Sequence, residues 1–204
     1  MEVERGGFVV FEGGESVGKS TQATWLATRR GAELTFEPGG TQLGRELRRL
    51  LLGEAGVRLH MLSEALLMAA DRAQHVAESI RPALEAGRDV VCDRYIGSSL
   101  AYQGYGRGLD IEVVGLLSEV ATGGLWPDLV ILLDMDPQRA RGRGAGGTDR
   151  FEALGMDFHR RVRAGYRELA AADPERWEVI DADRPPDEVR DDIAVLVADR
   201  LGWS

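Results

Sequence analysis

Lysine is almost absent from this chain. One occurs in 204 residues, Lys19, and the other 24 basic side chains are arginine. Basic charge is scarce altogether: 34 Asp plus Glu outweigh 25 Lys plus Arg, for a formal net charge of −9. That balance argues against a nucleic-acid polymer or an anionic membrane as partner. Cysteine occurs once, as Cys92, which excludes an internal disulfide. Its setting, Val90-Val91-Cys92, reads as a small buried hydrophobe rather than a reactive thiol. No run approaches the ~20 apolar residues of a membrane span. The opening Met1-Glu2-Val3-Glu4-Arg5 is acidic and lacks the apolar segment of a signal peptide. These absences predict a cytoplasmic protein, and the length predicts one α/β domain over residues 1–204.

What is present is gathered around the single lysine. Gly13-Gly14-Glu15-Ser16-Val17-Gly18-Lys19-Ser20 fits G-x-x-x-x-G-K-[ST], the phosphate-binding loop. Its glycines let backbone N–H groups curl around a nucleotide's β-phosphate. The lysine reaches the β- and γ-phosphates, and the Ser20 hydroxyl can ligate Mg²⁺. A guanidinium is broad and fork-shaped and cannot follow the path of a slim ammonium along a tight loop. Context agrees: Phe8-Val9-Val10-Phe11 reads as a buried strand before the loop, and Thr21–Arg30 as helix after it.

Five short runs have strand character: Phe8–Glu12, Glu33–Phe36, Asp89–Asp93, Leu129–Asp134 and Trp177–Asp181. Three are near-continuous apolar runs ending in an acid, as suits parallel strands buried on both faces with ligands at their carboxyl ends. Helical periodicity covers Lys19–Arg30, Leu43–Leu52, Ser63–Ala86, Ile111–Thr122, Gly155–Ala171 and Asp187–Leu201. The alternation predicts a doubly wound parallel sheet. Residues 139–152 stand apart: rich in Arg and Gly inside an acidic chain, they read as a lid over phosphates. Asp93 and Asp134 both end apolar strands, and either could be the second acid holding Mg²⁺. Asp93 is favoured because Arg94-Tyr95 follows it at once.

The motifs together resemble the thymidylate kinase family over nearly the whole chain. They are Phe11-Glu12-Gly13 leading into the loop, Glu37-Pro38-Gly39-Gly40-Thr41, Leu47-Arg48 and Ala70-Asp71-Arg72. Asp93-Arg94-Tyr95, Ser98, Ala101-Tyr102-Gln103-Gly104, Gly106-Arg107-Gly108 and Asp149-Arg150-Phe151-Glu152 complete the set. The resemblance implies a P-loop NTPase fold, three-layer α/β/α with a five-stranded parallel sheet and an Arg/Gly-rich lid. It implies in-line transfer from MgATP to dTMP, giving dTDP, by a homodimer. ATP would lie on Gly13–Thr21, including Val17 and Ser16, with Mg²⁺ on Ser20 and Asp93. Arg48 and Arg94 match arginines on the acceptor phosphate, and Glu15 a carboxylate at the sugar 3′-hydroxyl or its metal-bound water. Arg72 matches a donor to thymine O4, Tyr102 a ring that crowds the 2′ position, and Ser98, Ser99 and Gln103 the base pocket; Glu37, Pro38 and Met68 join the acceptor site. Lys19, Arg94, Glu15 and the lid residues Arg141, Arg143 and Arg150 are the expected catalytic set.

Three departures stand out. Met68 takes the place of a frequent aromatic ring, Phe36 that of a frequent arginine, and Ser16 that of a catalytic loop arginine found in one subtype. The missing charge then falls to the lid, through Arg139, Arg141, Arg143 or Arg150. Arg141 and Arg143 share a face only if that segment is extended. Two other readings remain: a kinase on the same fold acting on a nucleoside, with Glu37 as candidate base, or on a different nucleoside monophosphate, and a nucleotide-dependent switch or binding module. The switch lacks an N-K-x-D guanine-reading motif, since the only lysine is Lys19. Helices Ser63–Ala86 and Ile111–Thr122 are rich in Leu, Ala and Val, which fits either a core or an interface.

Overall fold

Apolar runs flanked by amphipathic helices bury both of their faces only between two helical layers. The chain does this in a computed structural model that describes residues 4–53, 56–143 and 150–203. Strands β1 (Phe8–Gly13), β2 (Glu33–Phe36), β3 (Val90–Asp93), β4 (Leu129–Asp134) and β5 (Trp177–Asp181) form one parallel sheet in the order β2-β3-β1-β4-β5. The three apolar runs are its centre, while β2 and β5 lie at the edges and expose alternate residues. Phe11 pairs in register with Asp93, and Gly13 with Leu133. The loop after β1 therefore emerges beside the acid that ends β3.

The helices are α1 (Lys19–Arg30), α2 (Gln42–Leu51), α3 (Met61–His75), α4 (Arg81–Glu85), α5 (Ile96–Ser99), α6 (Ile111–Thr122), α7 (Pro137–Arg143), α8 (Met156–Ala172) and α9 (Pro186–Leu201). On one face of the sheet Val9, Phe11 and Ile131 pack with Leu26 of α1 and Ile193 and Val197 of α9. On the other, Phe8, Val10 and Cys92 pack with Ile80 and Leu84, and Leu132 with Tyr102, Phe158 and Tyr166. Cys92 is fully buried, burial pushes its thiol up, and its S–H lies 3.0 Å from the Arg94 carbonyl. The small-hydrophobe reading fits that setting.

The expected single helix Ser63–Ala86 starts earlier, at Met61, and passes through a π-helical stretch, Val76–Ile80, before α4. No helix was expected between Tyr95 and Arg107, yet α5 runs on into a second π-helical stretch, Leu100–Gly106. Single π turns of this kind re-aim side chains and recur at functional sites; this one carries Tyr102 and Gln103. The start of the expected lid is also helical, in α7. Pro137 opens that helix, and the Asp136 carboxylate accepts the Gln138 N–H at 2.9 Å. Residues 144–149 of the expected lid lie outside the described residues.

Candidate active site

The loop between β1 and α1 has the backbone that cradles a phosphate. Gly13 has φ 143°, and a Cβ there would come 2.5 Å from the Leu133 carbonyl oxygen, so only glycine fits. Ser16 at φ 57° and Gly18 at φ 100° turn the chain into the N-terminus of α1. N–H groups and the helix dipole there favour an anion. Lys19 is buried, and its ammonium donates to the Gly14 carbonyl at 2.5 Å. Burial and the Arg94 charge lower its pKa to about 8, against the pull of Glu15, Asp93 and Glu12. An ammonium held this way lacks a full set of anionic partners, and a polyphosphate supplies them.

Ser20 Oγ donates to Asp93 Oδ2 at 2.5 Å, and Asp93 Oδ1 is buried without a partner among the described residues. An orphaned carboxylate oxygen beside a hydroxyl suits a hard divalent cation. Asp134 is closed to that role. Arg163 of α8 holds both its oxygens, at 2.7 and 2.8 Å. The geometry thus favours Asp93 over its competitor.

Arg94 is the hub between the two halves of the site. It sits at φ 72°, strained for a side chain of its size. Its guanidinium pairs with Glu15 at 2.8 Å and reaches the Gly13 carbonyl and the hydroxyls of Ser98, Tyr166 and Tyr102 at 3.1 to 3.4 Å. Burial pushes the Glu15 carboxyl up, but the charges of Arg94 and Lys19 and the Tyr102 hydroxyl outweigh it and hold the pKa at about 2. Tyr102 donates to Glu15 at 2.5 Å. Glu12, quoted in a motif but given no role from sequence, holds the strained turn in place. Fully buried, it accepts the N–H groups of Tyr95 and Ser98 at 3.0 and 2.9 Å and the hydroxyls of Ser98 and Tyr166 at 2.6 and 3.1 Å. An acid at this strand end was legible; its burial and its partners Tyr95, Ser98 and Tyr166 were not.

Glu15, Glu37, Pro38, Arg48, Met68, Arg72, Arg94, Ser98, Ser99, Tyr102 and Gln103 all line one cavity, together with Leu52, Tyr95 and Phe151. Met68 lies partly buried against the cluster of Tyr102, Phe151 and Phe158. Arg72 is pinned: Nε donates to Glu37 at 2.8 Å, Nη1 to Ser118 at 3.3 Å, and Nη2 to the Tyr95 carbonyl and Ser99 at 2.9 and 3.0 Å. Four of its five N–H groups are thereby taken, which leaves one for a base carbonyl. Glu37 also meets His75 Nδ1 at 3.0 Å. Both its oxygens are engaged and it is buried, a poor setting for a general base. Phe36, at the position where an arginine is frequent, brings no charge but borders Arg48. Its ring lies 5.7 Å from the Arg48 guanidinium, which also donates to the Pro38 carbonyl at 2.7 Å.

The lid arginines divide. Arg143 borders the open cleft shared with Lys19, Ser20, Thr21 and Asp93, donates to the Ala182 carbonyl at 2.8 Å and pairs with Asp183 at 3.5 Å. Arg141 borders a different, apolar cavity under Gly14–Val17 and α8. The two do not share a face because α7 is helical rather than extended. Arg139 pairs with Asp183 at 2.7 Å. Arg150, expected in the catalytic set, is instead bound to Glu64 at 2.5 Å, beside Phe151 on the acceptor side.

This geometry has relatives. The family described as thymidylate kinase matches residues 11–193. The thymidylate kinase of Desulfovibrio desulfuricans is 53% identical over 196 residues, covering 89% of this chain and 90% of that protein. That of Solidesulfovibrio magneticus is 52% identical over 208 residues, covering 95% and 100%. The crystal structure of thymidylate kinase from Ehrlichia chaffeensis superposes with a TM-score of 0.76 at 32% identity, covering 95% of this chain and 99% of that one. The chain belongs to the thymidylate kinase family, on a P-loop α/β fold.

Proposed function

We propose that this chain phosphorylates dTMP to dTDP with ATP, and that the two lined clefts are its donor and acceptor sites. The observation that carries the reading is Arg94. One part-buried guanidinium touches the phosphate loop through Gly13 and the acceptor cavity through Tyr102 and Glu15. Lys19 and the loop N–H groups hold the donor phosphates. Arg48 and Arg94 present paired N–H donors to the acceptor phosphate. The 5′-phosphate is already an anion, so no residue need remove a proton; positioning and electrostatics supply the rate. Arg143 is the lid arginine closest in setting to Lys19 and Asp93, and we assign it the charge on the transferred group. Ser20 and Asp93 would hold Mg²⁺, which when bound neutralises charge on the β- and γ-phosphates. The chain acts as one domain with residues 139–152 as lid.

ADP release from MgATP, with dTMP, dUMP, dCMP, dAMP, dGMP, UMP and thymidine offered separately, tests this. Preference for dTMP is expected. Turnover of thymidine without turnover of dTMP would move the chain to the nucleoside kinases.

Two further readings accompany it. No helix among the described residues is long and apolar enough to cross a membrane, and we place the enzyme in the cytoplasm. We also propose a homodimer across α3 and α6, which pack on each other. Leu116 and Val120 of α6 are 61% and 74% exposed, Val113 joins them at helical spacing, and Leu62 and Leu66 of α3 extend the face. Val120→Asp should convert a dimer to a monomer in sedimentation velocity; a wild-type monomer at micromolar concentration would refute the assignment.

A further inference from the structure

Glu64 is the most heavily bonded buried acid outside the phosphate loop's surroundings. It is 1% exposed on α3. Gln103 Nε2 donates to its Oε1 at 3.0 Å. Arg107 donates to both oxygens, at 3.1 and 2.9 Å, and Arg150 to Oε2 at 2.5 Å. The two guanidiniums are held in turn by aromatic faces: Arg107 lies 5.6 Å from the Phe151 ring and 5.3 Å from that of Phe158, and Arg150 5.5 Å from Phe151. Glu64 is thus fixed from several sides, one and two turns before Met68 and Arg72 on the same face of the helix.

A carboxylate accepts and does not donate, so the Gln103 nitrogen must face it and the amide carbonyl must turn the other way. Gln103 lines the acceptor cavity. We infer that Glu64 is a positioning residue that locks the Gln103 amide with its carbonyl toward the base, where it accepts the N3–H of thymine. Cytosine carries an unprotonated nitrogen at that position. The carbonyl would meet a lone pair there and be left without a donor, which is how a buried polar site rejects a near-isostere. Arg72 then reads position 4 and Gln103 position 3. The inference rests on the reading of this cavity as the dTMP site.

The test compares kcat/KM for dTMP and dCMP in the wild type, Glu64→Gln and Glu64→Asp. A glutamine amide can offer either a donor or an acceptor to Gln103, so the lock is lost. The dTMP-to-dCMP ratio should fall about tenfold or more in Glu64→Gln, mainly through a higher KM for dTMP. Glu64→Asp, which keeps an acceptor-only group, should retain most of the ratio. A purely structural role would lower both substrates together, in step with Tm. A folded Glu64→Gln enzyme with an unchanged ratio overturns the inference. Should that variant fail to fold, the wild type decides with N3-methyl dTMP. A loss of about a hundredfold in kcat/KM against dTMP is expected, and equal turnover overturns the inference. A wild type inactive on dTMP overturns the acceptor reading, and this inference with it.

Discussion

Lys19→Ala will lower kcat by about 10²–10³-fold or more while leaving the fold intact. Nothing else can supply its charge. No other lysine exists in the chain, and the arginines that share its cleft, Arg48, Arg94 and Arg143, are already assigned to the acceptor phosphate and the transferred group. The fold survives because the ammonium is not a stabilising group in the nucleotide-free protein. Its pKa is lowered from 10.5 to about 8, so the folded protein binds that proton less tightly than the unfolded chain does. The contribution of Lys19 to stability is therefore least below pH 8 and rises between pH 8 and 10.5. The variant should melt at pH 7 no lower than the wild type and should lack that rise. A bound polyphosphate reverses the shift, since it favours the charged form. Nucleotide binding at about pH 8.5 should then take up a proton, read by calorimetry in buffers of different ionisation enthalpy. Lys19→Ala should show no such uptake. Wild-type turnover in Lys19→Ala would end the phosphate-loop scheme.

The phosphate loop was legible in the sequence because its chemistry is local. Glycines, one lysine and one hydroxyl at fixed spacing need no distant partner to be recognised. The central strands were legible because β1, β3 and β4 are buried on both faces and so read as unbroken apolar runs. The helix through α5 and Leu100–Gly106 was hidden by Gly97, Gly104 and Gly106, which read as breakers. Each is there for close packing. A Cβ at Gly97 would come 2.8 Å from a Glu12 carboxylate oxygen, at Gly104 2.3 Å from Ile111, and at Gly106 2.6 Å from Phe158. Tertiary contact overrides propensity at all three. The same limit applies to Glu12 and Glu64, whose partners lie 83 to 154 residues away for Glu12 and 39 to 86 away for Glu64. Arg150 shows the same limit from the other side. Its place at the end of a basic segment suggested phosphates, but charge alone does not say which anion it meets, and the buried Glu64 holds it.

Arg94→Ala will cost both stability and activity, and Arg94→Lys will restore little of either. Removing the guanidinium takes the principal cation from Glu15, whose side chain is 27% exposed, and from the fully buried Glu12. Taking one partner from a part-buried, hydrogen-bonded pair of this kind costs about 1–3 kcal/mol. An ammonium cannot serve the Gly13 carbonyl, Ser98, Tyr166, Tyr102 and Glu15 together, because that span matches the planar fork of arginine. Glu15 sets the pH dependence. In the wild type its folded pKa is depressed from 4.5 to about 2, so its stabilisation is present above pH 4.5 and is lost as pH falls toward 2. Without Arg94, only the Lys19 charge and the Tyr102 hydroxyl are left to oppose burial, and the Glu15 pKa rises from its value of about 2. The difference in unfolding free energy between wild type and Arg94→Ala should be largest near neutral pH. It should narrow as pH falls below about 4.5, where Glu15 is protonated in the unfolded chain. Urea unfolding at a series of pH values reads this directly. In kinetics the KM for dTMP should rise more than that for ATP, because Lys19 and the loop N–H groups still hold the donor. An Arg94→Lys enzyme with wild-type kcat/KM for dTMP would show that a single positive charge suffices there, and that the multidentate geometry of Arg94 contributes nothing to catalysis.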